Sequence, residues 1–300
     1  MIELDSGFLV GSIPPIVTPF RDGAVDYDTY ARLIDFQIDN GTHGILVNGT
    51  TSEPSTLTQE ERTLLVKTAV QAANGRVPVV AATGSQSHDE TAALTDGAGR
   101  AGADALLIVT PYYIRPPQRG LVAYYESLAR RTELPMMIYH IPGRTAVNVE
   151  LDTLTAITER VPHLVGMKHA ANDLGYVTRA IAALGPQFRI FVGLEEFSFP
   201  MMAVGACGLM NAVANVAPRQ VADLANAVMA GDMARARMLH DQLHALNEAV
   251  FYDTNPIPMK YMMKRLGLLP DNTHRLPMVP ASPEIERRLD DVLARAGLLG

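Results

Sequence analysis

The sequence predicts an α/β fold, a closed (β/α)8 TIM barrel with extra C-terminal helices. Three observations carry this. Eight short apolar runs, many of them β-branched, recur at a step of roughly thirty residues. Stretches of helical period lie between them. No glycine-rich phosphate loop follows an early run, as a doubly wound open sheet, the alternative fold, would usually require.

The runs are Ile13–Val17, Gly44–Val47, Val77–Ala82, Ala105–Val109, Met136–Tyr139, Leu164–Lys168, Ile190–Val192 and Leu209–Val213. Each is continuously apolar, as expected of parallel strands covered on both faces. The first helical stretch, "DYDTYARLIDFQIDNG", opens at a capping Asp and stops at Gly41. The second, "TQEERTLLVKTAVQAANG", opens at Thr58 with acidic residues in its first turn and ends at Gly75. "SHDETAALTDGAGRAG" and "DLGYVTRAIAALG" follow the same grammar. From about Gly231 onward the chain reads as helical throughout. The barrel is therefore expected over residues 1–230 and a helical extension packed on it over 231–300, with no long linker between them.

Bulk properties narrow the function. Three hundred residues, 48% hydrophobic and 19% charged, are those of an ordinary soluble globular protein, and no apolar run approaches the ~18–20 residues of a membrane span. The first residues lack the basic and apolar regions of a signal peptide. The single cysteine, Cys207, cannot form an internal disulfide or a cysteine-built metal site, which fits a reducing compartment. A formal charge of −7 without a run of Lys or Arg argues against a nucleic-acid partner. The expectation is a cytoplasmic enzyme or ligand binder.

In such barrels the active site lies at the C-terminal ends of the strands. The second run is followed by "NGTTSEPSTL", the fourth by "TPYYIRPP", the fifth by "YHIPGRTA", the seventh by "GLEE" and the eighth by "NAVANVAP". The sixth ends on Lys168, one of only four lysines. A lysine held in an apolar barrel loses stability in its charged form, so its pKa is expected to fall. The neutral amine is then a nucleophile toward a ketone or aldehyde and forms a Schiff base. The structural alternative is a lysine snorkelling at a strand end or paired with a carboxylate.

Tyr139 ends the neighbouring strand, where a phenol beside the amine can shuttle protons; core packing is its plainer role. Arg144 follows in a loop stiffened by Pro142, where a guanidinium can hold a carboxylate with two hydrogen bonds. A surface ion pair is the plain alternative. Gly49, Thr50 and Thr51 offer two hydroxyls and backbone N–H groups in a turn that suits a carboxylate, or simply make a Thr-rich turn. Their joint placement at one rim favours a site.

These residues, with "PPIVTPF", "GTTSEPSTLTQEER", "TPYYIRPPQRGL", "IYHIPGRTA", "GMKHA" and "NPIPMKYMMKRLGLL…RLPMVP", resemble the family of pyruvate-dependent Schiff-base aldolases that contains dihydrodipicolinate synthase and N-acetylneuraminate lyase. The resemblance covers nearly the whole chain and leans toward the synthase through Arg144 and the C-terminal motif. It implies Lys168 as the Schiff-base lysine, Tyr139 as proton-relay tyrosine and Thr50 as relay threonine. Tyr113 is implied as a second relay tyrosine reaching the site of a neighbouring subunit. It also implies Thr51 as a ligand of the pyruvate carboxylate, Met210 as a backbone contact near the keto acid, and Arg144 as the holder of the second substrate's carboxylate. The implied reaction condenses pyruvate with L-aspartate 4-semialdehyde in a homotetramer. No dissociable cofactor or metal is implied, because the lysine is itself the electron sink.

Several positions depart from the family pattern. Ser52 stands where glycine is usual, His140 replaces the asparagine after the relay tyrosine, and Ala146 replaces a glycine. His169 stands where an acidic residue is common, and "GLEE" replaces a Gly-Asp-Asp-like run. Several of these are expected to flank the substrate pocket. The histidine substitutions argue for the rival reading, a sister enzyme acting on a 2-keto-3-deoxy sugar acid, a hydroxy-oxoglutarate or a hydroxyproline-derived imine acid, and Arg144 argues against it. Gln59 and Arg62 stand where some regulated synthases carry histidines, so lysine feedback is expected to be weak or absent. A metal-dependent lyase using His140, His169, Glu195 and Glu196 is a further rival. A binding protein on a retired barrel would have lost the lysine, tyrosine or threonine. His240 and His244, four apart on an expected helix, read as a solvated face.

Overall fold

The structure, a computed structural model, describes residues 3–299. Residues 1–2 and 300, the outer ends of the two expected regions, lie outside the described residues. Among the described residues there are ten strands: β1 (Gly11–Ser12), β2 (Phe20–Arg21), β3 (Ala24–Val25), β4 (Ile45–Val47), β5 (Val79–Ala82), β6 (Ala105–Val109), β7 (Met136–His140), β8 (Leu164–His169), β9 (Arg189–Val192) and β10 (Gly208–Leu209). Eight of them form one parallel sheet in the order β1-β10-β9-β8-β7-β6-β5-β4. The chain beyond β1 reaches the far edge. Pro15 bridges Leu46, the Leu46 N–H donates to Pro14 O at 2.9 Å, and the Ile16 N–H donates to Leu46 O at 3.0 Å. Eight parallel strands with helices between them fit the (β/α)8 barrel.

Two strands are shorter than their apolar runs suggest. Pro14 and Pro15 have no N–H to give a ladder, so the first strand proper is Gly11–Ser12, and the prolines serve as acceptors. The eighth stops at Leu209 because Ala212–Asn215 turns into a 3-10 helix. Its Ala212 N–H is taken by Glu195 Oε1 at 2.6 Å. The antiparallel pair β2–β3 has no counterpart among the eight runs. Asp22 and Gly23 both have positive φ (51° and 79°), the conformation an Asp-Gly hairpin turn needs.

Helix boundaries follow the caps. Asp26 accepts from the Thr29 N–H at the start of Tyr27–Asp39, and Asp173 from the Tyr176 N–H at the start of Leu174–Leu184. Thr58 and Glu61 form a reciprocal capping box on Gln59–Ala73. The C-terminal segment holds helices at Met233–Ala249, Ile257–Arg265 and Pro283–Arg295. It is not helical throughout: the stretch before the last helix carries Pro270, Pro277 and Pro280, which cannot continue a helix. His240 is half-buried with its ring 6.1 Å from Phe199, so it does not lie on a solvated face. His244 is exposed and sits 3.7 Å from Glu248.

Apolar side chains divide into two layers. Ile13, Leu46, Val80, Leu107, Met137, Val165, Phe191 and Met210 fill the barrel interior with Tyr139 and Ala170. A larger cluster lies between strands and helices. The β7–β8 register shifts between Met136 and Met137, so Val165 is extra in the ladder. Such a bulge re-aims the following side chains, and Lys168 lies on the cavity side with Tyr139. Gly166 is required at this crowded point, since a Cβ there would lie 2.2 Å from Arg189 O.

Candidate active site

Lys168 and Tyr139 are register partners on β8 and β7, 4% and 6% exposed. The Lys168 Nζ sits 4.5 Å from the centre of the Tyr139 ring. No carboxylate lies within ion-pair distance of it among the described residues, which removes the paired-lysine alternative. Its methylene stem passes Gly193, where a Cβ would lie 2.9 Å from Lys168 Cε, so glycine leaves the channel the side chain occupies.

Both groups open into a cavity of about 340 Å3, also lined by Thr50, Thr51, Arg144, Glu195, Met210 and Asn255. This is the low end of the size range for small-molecule sites. The Tyr139 hydroxyl lies 3.2 Å from Thr50 Oγ1, so the phenol and the threonine hydroxyl are paired beside the amine. Thr50–Ser52 is one 3-10 turn entered from Gly49. First-turn N–H groups have no intrahelical acceptor, and no bond among the described residues uses the N–H of Thr50 or Thr51. The turn thus presents donors that suit a carboxylate. Gly49 lines an adjoining cavity of about 570 Å3 that shares Thr50, Tyr139, Arg144 and Asn255 with the first.

Arg144 is exposed at the cavity mouth, on the single helical turn Pro142–Thr145 after β7. Met210 is buried on the opposite wall, its N–H bonded to Val192 O at 2.9 Å. Tyr113 is not brought to the site: it is 86% exposed, at φ 71°, and lines neither cavity.

Two lining residues were not singled out as substrate ligands from sequence. Asn255 donates from Nδ2 to Thr51 Oγ1 at 3.0 Å, 204 residues away; the "NPIPMK" motif was its only signal. Glu195 is 2% exposed. Burial pushes its carboxyl up, while N–H groups including that of Ala212, and the Lys168 charge, pull it back. Its Oε2 has no protein partner.

Of the family departures, the "GLEE" run flanks the pocket through Gly193, Leu194 and Glu195, while the others do not. Ser52 is fully buried, donating to Ile16 O at 2.6 Å. His140 and His169 face away from the cavity, because successive residues of a strand point to opposite sides. They are register partners with Nδ1 atoms 3.1 Å apart and line a separate outer cavity with Tyr176 and Asn148. They therefore do not converge with Glu195 on a metal, and no group of three or more metal-ligating side chains gathers among the described residues. Ala146 holds a left-handed φ of 55°, which explains why glycine is usual there.

No helix among the described residues is long and apolar enough to cross a membrane. The sequence matches the Dihydrodipicolinate synthetase family over residues 8–296. It is 42% identical over 290 residues to a Thermus thermophilus protein named 4-hydroxy-tetrahydrodipicolinate synthase, spanning 96% of this chain and 97% of that one. The structure superposes on the crystal structure of dihydrodipicolinate synthase from Aquifex aeolicus with a TM-score of 0.94 at 39% identity, covering 97% and 99% of the two chains. A dihydrodipicolinate synthase described as a monomeric variant gives the same TM-score at 35% identity, covering 98% of each chain. With its motifs, barrel and lysine-centred cavity accounted for, the chain belongs to the dihydrodipicolinate synthetase family.

Proposed function

We propose that this enzyme is a Schiff-base lyase that condenses pyruvate with L-aspartate 4-semialdehyde to 4-hydroxy-tetrahydrodipicolinate, a step of lysine biosynthesis. The carrying observation is the Lys168 amine, free of any ion pair, beside the Tyr139–Thr50 hydroxyl pair in a cavity whose mouth holds Arg144. The amine attacks the keto carbon, and Tyr139 with Thr50 carries the proton that lets water leave as the imine forms. The N–H groups and hydroxyls around Thr51 hold the pyruvate carboxylate. Loss of a methyl proton gives an enamine, whose carbon attacks the aldehyde. The amino group of the second substrate then displaces Lys168 and closes the ring. Arg144 holds that substrate's carboxylate, and Met210 borders the keto acid.

The histidines that favoured a sugar-acid or imine-acid sister enzyme point outward, so they no longer support that reading. Exposure of Tyr113 supports its action in the site of a second copy, within a homotetramer in the cytoplasm. The 231–300 extension is read as part of the same unit, because Asn255 completes the cavity wall.

Two measurements test this. Borohydride reduction with pyruvate should tag Lys168 by mass spectrometry; a tag elsewhere, or none, refutes the chemistry. Comparing kcat/KM for aspartate semialdehyde with that for sugar-derived keto acids tests the substrate, and a preference for the latter refutes it.

A further inference from the structure

A buried charged cluster lies outside the reacting groups. The Glu53 carboxylate meets two partners, one on each oxygen: it forms an ion pair with Lys260, Nζ at 2.6 Å from Oε1, and a hydrogen bond with His274, Nδ1 at 2.9 Å from Oε2. The side chains of all three are no more than 1% exposed. Lys260 also donates to Thr273 O at 2.8 Å and lies 4.2 Å over the Phe20 ring. Glu53 directly follows the Thr50–Ser52 turn, and its φ of 57° puts a non-glycine residue in the left-handed region. Such a conformation persists only where the surroundings over-determine it. Asn48, at the other end of the turn, is also left-handed (φ 59°), and its Nδ2 donates to Arg62 O at 2.9 Å. The tail grips the same loop again through Asn255 on Thr51, and the helix that follows it through Arg275, which forms a two-point ion pair with Glu61 at 2.8 and 2.7 Å.

We propose that Lys260 and His274 are positioning residues for the pyruvate-carboxylate loop: through the two oxygens of Glu53, the C-terminal tail sets where Thr50 and Thr51 present their donors. This rests on the pyruvate reading above and deepens it. Stability alone is a weak reason for the buried charge, since apolar residues of similar volume often do as well or better. A cation on one oxygen and an imidazole on the other fix a carboxylate in orientation, and thereby the strained residue that carries it. The loop bonded to Tyr139 through Thr50 is thus registered against a segment more than two hundred residues away.

The test compares the full-length parent with Lys260→Met, His274→Gln and the charge-free pair Glu53→Gln/Lys260→Met. Melting temperature, the KM of each substrate and hydrogen exchange at the Thr50 and Thr51 amides are measured for each. The expected result is a pyruvate KM raised at least ~10-fold in Lys260→Met and ~3-fold in His274→Gln, with the aldehyde KM within ~2-fold. The charge-free pair should melt above Lys260→Met yet keep the raised pyruvate KM and faster amide exchange. If folded variants keep pyruvate KM and exchange within ~2-fold of the parent, or if the charge-free pair restores both, the cluster serves stability only and the proposal is overturned. Borohydride trapping of the parent separates the two readings. An untagged Lys168 refutes the pyruvate chemistry, and amide exchange still decides whether the tail holds the loop.

Discussion

Acid should weaken this fold through one buried ring. His169 is fully buried and stacks on Tyr176 at 5.0 Å, with the rings 6° from parallel. His140 Nε2 lies 2.8 Å from Asn148 Oδ1, so His140 donates there and its Nδ1 is left to accept. His169 must then donate from Nδ1 across the 3.1 Å gap, leaving its Nε2 bare and without a side-chain or backbone partner. Burial first, then the neighbouring His140, push the His169 pKa down to about 4 from 6.5. Between those values the unfolded chain binds a proton that the folded chain refuses, so stability falls as pH falls. The contribution is intact above pH 6.5 and is lost progressively toward pH 4. Each pH unit in that window is worth ~1.4 kcal/mol, so acidifying to about pH 4.5 should cost about 3 kcal/mol at this residue. Urea unfolding of the parent and of His169→Gln at about pH 7 and about pH 4.5 reads it directly. The parent should lose about 3 kcal/mol more than the variant. Equal losses would show that the folded ring accepts the proton and would refute the tautomer assignment.

Tyr139→Phe keeps the buried ring over Lys168 and removes only the hydroxyl 3.2 Å from Thr50. It should lower kcat by ~10²–10⁴ while Lys168 is still trapped on long incubation; a loss under ~10-fold counts against the relay. Arg144→Leu should raise the KM of the second substrate by ~10–100-fold and leave that of pyruvate within ~3-fold, from the loss of charge-assisted hydrogen bonds. Equal effects on both substrates would displace Arg144 from its role. Ala146→Gly relieves a left-handed φ of 55°. The strain, ~1–2 kcal/mol, exceeds the ~0.4–1 kcal/mol of added unfolded-state entropy. The urea midpoint should therefore rise slightly, and a lower midpoint would show the turn is unstrained. Millimolar lysine should leave the rate within ~2-fold. The Arg62 guanidinium, bonded to Ala82 O at 3.1 Å, already sets a buried cation beside Glu90 in the adjoining cavity, where a second would be repelled. Strong inhibition would overturn that expectation.

Local signals read well where local physics decides. Ala105–Val109 is a strand over the span of its apolar run, and Asp26, Thr58 and Asp173 cap the helices they announce. Misreadings fell where a second constraint competed. Pro14 and Pro15 shortened a strand by removing donors, Glu195 drew Ala212 out of another, and Asp22-Gly23 folded a hairpin too short for a periodic signal.

The sequence by itself determined the strand–helix alternation and the rim at which polar residues, Lys168, Tyr139 and Thr50 among them, gather, because period, caps and residue type act over a few residues. The extra Val165 that brings Lys168 into register with Tyr139 was decided only by the tertiary structure, since the β7–β8 bulge sets the phase of that strand pair. So was the grip of Asn255, Lys260 and His274 on the Thr50–Glu53 loop. These contacts join residues more than two hundred positions apart, and no periodicity along the chain encodes a distance that only the closing of the barrel creates.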